Sequence, residues 1–210
     1  MHGIFFYIGL GAGLAAACGL RPFLPVLLAG ALASSNALGV SFAHDPYRFL
    51  QSGWWLLAVV VALVIGYALQ LVFRFSPTID PRVPGRRKKD DLLGASITGL
   101  AFGTGAALFA GTLAAHHDAS WPGLLAGFAV VGLAQRASGP VIARARARLA
   151  DRAAREALTV YLDAAALVFA ALVAVLHPLG YVLVAALAWF AWRGRSRADE
   201  KYAGLRILRR

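Results

Sequence analysis

Apolar runs of about twenty residues recur along this chain, separated by short stretches where arginine, proline or glycine collects. A helical run of that length spans the hydrocarbon core of a bilayer, about 30 Å at 1.5 Å per residue. Of 210 residues, 60% are hydrophobic and 15% charged, whereas soluble domains carry about 25% charged residues. A soluble enzyme, a disordered chain and a disulfide scaffold are excluded. The expected fold is all-α: one integral membrane domain over residues 1–210, a transmembrane bundle of about six spans.

The net charge is +11, from 21 basic and 10 acidic side chains. Nucleic-acid binding does not follow, because no basic folded module remains once the spans are removed. Most of the cations fall in residues 74–91, 140–157 and 194–210, while the connectors near residues 44, 117 and 178 carry few. The two sets alternate. Lys and Arg accumulate in cytoplasmic loops, so the expected placement is a bacterial inner membrane with both termini and the basic loops in the cytoplasm. Cys18 is the single cysteine, so no intrachain disulfide forms. No basic region precedes the first apolar run, so no cleaved signal peptide is expected.

The first apolar run, residues 3–33, is too long for one crossing and is interrupted by Arg21-Pro22 and Pro25. A helix to about Gly19, a break and a shorter helix are expected, since proline removes a donor and clashes with the preceding turn. Residues 34–51 form a polar connector. The second run, 54–73, starts at Trp54 and Trp55, which suit an interfacial aromatic belt. Residues 74–91 read as a loop. The third run, 92–115, carries Gly99 and Gly103, and the fourth, 123–138, carries Gly123 and Gly127. That four-residue spacing lets helix backbones approach closely. Residues 140–157 place Arg144, Arg148, Arg152 and Arg155 on one helical face, with Val141, Ala145 and Leu149 near the other. An amphipathic interfacial helix is expected there, its arginines on anionic headgroups. The fifth run is 158–176, the sixth 181–192, and 194–210 is a basic cytoplasmic tail.

The halves 1–115 and 121–193 echo each other. Arg21 precedes Pro25 by four residues after a Gly-containing helix, and Arg136 precedes Pro140 likewise. Three spans per half would make a 3+3 inverted repeat, a recurring transporter design.

Arg21 is the leading candidate for a substrate contact, because a charge inside a span usually faces a partner or a cavity. Its guanidinium suits phosphate or carboxylate. Asp163, in the fifth run, is its acidic counterpart, able to pair with Arg21 or Arg136. Gln70 and Arg136 complete the candidate substrate-binding set. His116, His117 and Asp118 are adjacent and cannot converge on one ion, so no metal site is expected. Gly9, Gly11 and Gly13 lie inside an apolar run and are no dinucleotide fingerprint. No catalytic constellation and no cofactor motif is found.

The segment Gly19-Leu20-Arg21-Pro22-Phe23-Leu24-Pro25-Val26-Leu27-Leu28 resembles the opening motif of a group of small bacterial membrane proteins, domain-of-unknown-function family 4126. Pro77-Thr78-Ile79-Asp80, the Gly-rich third run with Gln135-Arg136 and Pro140, and Leu162-Asp163 with His177-Pro178 are similar to later parts of it. The chain departs from the family pattern twice. Arg74 and Phe75 stand where an acidic–basic pair precedes the first proline motif, and an acidic pair in the fifth run is reduced to Asp163. The resemblance implies the architecture and no activity.

Two functions fit. The first is a small transporter or lipid-handling protein for an anionic substrate or phospholipid, with a homodimer as its expected assembly. The second is a non-transporting membrane scaffold or assembly factor. An intramembrane enzyme using Asp163 and a histidine ranks below both, because acid–base groups must share one reacting centre.

Overall fold

The computed structural model describes residues 4–42, 44–74, 87–116, 119–149 and 151–207. For residues 69–74, 87–94, 143, 146, 147, 152, 155 and 194–207 it describes the backbone alone. Seven helices form among these residues: α1 (Ile4–Leu20), α2 (Phe23–Ser34), α3 (Gly53–Arg74), α4 (Arg87–Ala114), α5 (Trp121–Arg148), α6 (Arg152–Val175) and α7 (Leu179–Ile207). A 3-10 turn, Tyr47–Gln51, precedes α3. The architecture is the expected helical membrane bundle. The stretches Ala95–Ala114, Trp121–Ile142 and Glu156–Val175 are each long and apolar enough to cross a bilayer, beside the shorter apolar helices Ile4–Leu20, Phe23–Ser34, Gly53–Ala68 and Leu179–Arg193.

Helix α1 is the axis of the molecule. It packs on α4, α5, α6 and α7, and every residue from Gly9 to Gly19 is buried. Glycine makes this crowding feasible. A Cβ on Gly19 would come within 2.6 Å of Ala134 Cβ in α5, and one on Gly9 within 2.6 Å of the His177 carbonyl oxygen. Between α4 and α5 the close approach uses Gly123 and Gly127, whose Cβ atoms would meet the backbone of Ala110 and Ala106. Gly99 and Gly103 do not serve this purpose: nothing among the described residues lies within 4 Å of a Cβ at either. The α4 contacts fall instead on Gly105, against Val131 and Cys18, and on Gly111, against Phe42.

The break at Arg21 and Pro22 reverses the chain. Helix α2 runs antiparallel to α3, with Phe23 beside Gly66 and Gly30 beside Leu50 and Leu56. Helices α1 and α2 therefore form a hairpin that enters from one face and returns to it. Helix α2 ends in a Schellman motif: Asn36, at φ 50°, donates to Ala33 O, and Ala37 donates to Leu32 O. The connector after it is packed rather than solvated, with Val40, Phe42, Tyr47 and Leu50 buried.

The hairpin also sets the direction of α1. Tyr7 stacks on His116 in the α4–α5 turn, and the Tyr181 hydroxyl donates to the Phe5 carbonyl. The first turn of α1 thus lies at the face holding the weakly charged connectors. At the other end of α7, Leu187 and Ala191 pack with Ala134 and Ala137, toward the basic end of α5. The first turn of α1 and the Leu187–Ala191 part of α7 therefore lie toward opposite faces of the bundle.

Other expectations change too. The interfacial helix over 140–157 is divided: Pro140 lies inside α5, α5 ends at Arg148, and α6 starts at Arg152 with Asp151 as its N-cap, accepting from Ala153 N. The four arginines therefore do not share one helix face. Arg144 and Arg148 are exposed, with Arg144 Nε donating to Pro140 O at 3.0 Å, while the side chains of Arg152 and Arg155 lie outside the described residues. Helix α4 begins at Arg87, inside the stretch expected as a loop; residues 75–86, with the Pro77-Thr78-Ile79-Asp80 motif, lie outside the described residues. So do His117 and Asp118. Helix α7 starts at Leu179 and continues through much of the expected tail to Ile207.

Candidate functional site

The tip of the α1–α2 hairpin carries the site. Pro22 has no N–H, and its ring disfavours the helical conformation for Arg21. Arg21 donates its backbone N–H to Ala17 O, closing α1, and α2 begins two residues later. Pro25 falls in the first turn of α2, where N–H groups have no helical partner in any case. Local sequence thus puts a charged residue on a break that must be enclosed by protein, since irregular backbone cannot face lipid.

Arg21 forms an ion pair with Asp163, Nε to Oδ1 at 3.0 Å, and both side chains are largely buried. The second oxygen of Asp163 accepts the Tyr67 hydroxyl from α3. Asp163 lies about 18 Å along α6 from Val175 and about 10 Å from Glu156, at 1.5 Å per residue. The cluster is therefore inside the apolar stretch, not at its rim. Among the described residues, Arg21 Nη2 is buried without a hydrogen-bond partner. Asp163 engages the guanidinium at Nε, and a guanidinium nitrogen left unpaired can donate to a carboxylate or phosphate oxygen.

Of the sequence-derived candidates, the structure joins Arg21 to Asp163. Arg136 is exposed on α5, and its guanidinium is not the partner of Asp163. Gln70 stands one turn beyond Tyr67 on α3, its side chain outside the described residues. Tyr67 was not among the candidates. Its phenol joins α3 to α6 by donating to Asp163, but in an apolar run a tyrosine reads like any lipid-facing aromatic. No group of three or more His, Cys, Asp or Glu side chains able to hold a metal occurs among the described residues.

A family model described as a domain of unknown function (DUF4126) matches residues 8–80. The match spans α1, α2, the 3-10 turn and α3, and so contains Arg21 and Tyr67. Asp163, their common partner, comes from α6 beyond it. No curated protein and no solved structure matches the chain.

Proposed function

We propose that this protein is a small membrane transporter for an oxyanion, a carboxylate or a phosphate, the latter free or as a phospholipid headgroup. The observation that carries this reading is Arg21: its Nε holds Asp163 while Nη2 is buried without a partner among the described residues. A buried donor without a partner is costly, and a guanidinium edge inside a bundle suits an oxyanion. A hairpin whose tip ends inside the bilayer is also a feature of transport proteins, where irregular backbone lines a substrate path.

The basic end of the bundle, with Arg144 and Arg148, faces the cytoplasm in this reading, on the positive-inside rule. The first turn of α1 then lies outside, in a bacterial inner membrane, and the exposed arginines of α5 rest on anionic headgroups.

The test is native mass spectrometry of protein released from nanodiscs, wild type beside Arg21→Lys. Lysine keeps the charge opposite Asp163 and removes the guanidinium. The expected result is a bound oxyanion or anionic lipid in the wild type that is absent from the variant. Identical spectra, together with a protein partner recovered from mild detergent, would move the assignment to a membrane scaffold.

A further inference from the structure

Arg21 and Asp163 carry opposite charges that sum to zero inside the apolar bundle. A third charge arriving there is opposed unless another charge leaves, because an uncompensated ion is strongly disfavoured away from water. The titratable groups facing Asp163 among the described residues are Arg21 from the hairpin tip and Tyr67 from α3. Helices α1 and α2 also pack on α6. Their other residues are apolar except Tyr7, which stacks on His116, Cys18, which lies against Gly105 of α4, and the serine ending α2. From α7, Leu179 joins the cluster of Ala170 and Val173, about two turns beyond Asp163.

We propose that Asp163 takes up one proton for each oxyanion bound at Arg21, so that the site loads anion and proton together. This rests on the reading of Arg21 as an oxyanion site. A hydronium ion breaks one O–H bond and leaves as water, and its proton adds to a lone pair of the Asp163 carboxylate to make a neutral acid. Tyr67 keeps its own proton, and its oxygen turns from donor to acceptor of the new O–H. The guanidinium then balances the oxyanion instead of Asp163. The total charge is zero before and after, and the O–H bond is the one bond formed.

The test uses full-length protein in phosphatidylcholine nanodiscs with two probes, benzoate and dimethyl phosphate. Both keep one negative charge from about pH 8 to about pH 6. One proton per anion predicts an affinity about tenfold tighter for each pH unit lowered. Calorimetry in two buffers of different ionisation enthalpy should show about one proton taken up per anion. Asp163→Asn, which resembles the neutral acid, should bind both probes without dependence on pH. If that variant does not fold, the wild-type slope and proton count decide. Binding with a flat pH profile and no proton uptake overturns the coupling and leaves the Arg21 site standing. No binding of either probe by wild type overturns both. Repeating the titration with phosphatidylglycerol in the disc separates the sources: competition with benzoate assigns the site to a lipid headgroup, and unchanged affinity assigns it to a free oxyanion.

Discussion

An arginine followed four residues later by a proline occurs at Arg21 and Pro25 and again at Arg136 and Pro140, and the two places fold in opposite ways. At Arg21 the helix stops, the chain turns back and the guanidinium is buried on Asp163. At Arg136 the helix continues through Pro140 to Arg148, and the side chain is exposed. The shared spacing is not what matters. Pro22 directly follows Arg21, whose Cβ and N–H collide with the proline ring in a helical conformation. Gly139 precedes Pro140 and has no Cβ, so the helix can continue with one donor missing. The surroundings then complete the difference, since α1 is enclosed on every side and the Arg136 face of α5 is open. The second proline therefore creates no second break, and the halves do not carry the matching broken helices that an inverted repeat was expected to show.

The comparison is tested most severely by Arg21→Ala. It leaves the Asp163 carboxylate buried without its ion partner, and a loss of about 3–5 kcal/mol is expected, read as thermal unfolding in detergent. Arg21→Ala combined with Asp163→Ala should recover much of that loss; a double variant as unstable as the single one would show that the pair does not hold the hairpin. Tyr67→Phe removes the hydroxyl that donates to Asp163, and about 1.5–3 kcal/mol is expected, less if lipid-facing groups rearrange. Gly127→Ala presses a methyl group into the backbone of Ala106, and overpacking of this kind costs about 1–3 kcal/mol. Gly103→Ala meets open space and should be neutral or stabilising by up to about 1 kcal/mol through helix propensity. At the small end, Arg136→Ala should stay within about 0.5 kcal/mol. A larger change there would mean that the two arginine–proline sites are more alike than their geometry.

Much of the fold was legible because bilayer length and proline chemistry act locally. The apolar runs, the break at Arg21 and Pro22, and the approach at Gly123 and Gly127 all follow from residues within a few turns. The approach at Gly99 and Gly103 failed for a related reason: four-residue glycine spacing states that a close contact is affordable, not which neighbour is there to make it. The same limit divided the arginine stripe of residues 140–157. Its helical periodicity is real in projection, but α5 ends at Arg148 and Asp151 caps a new helix, so the two pairs of arginines stand on different helices.

The candidate site was half legible. Arg21 and Asp163 stand out because charges inside apolar runs are rare and need partners. Tyr67 does not, since its partner lies 96 residues away and a phenol is ordinary in a span. By itself the sequence determined that the chain is a helical membrane bundle with a broken first segment and an intramembrane arginine, because burial in lipid leaves the backbone no other way to satisfy its hydrogen bonds. The tertiary structure decided that α2 turns back beside α3, that the first turn of α1 and the Leu187–Ala191 part of α7 lie toward opposite faces, and that Arg21, Tyr67 and Asp163 meet. Those outcomes depend on which helix packs against which, and the close packing that selects them joins residues far apart in the chain.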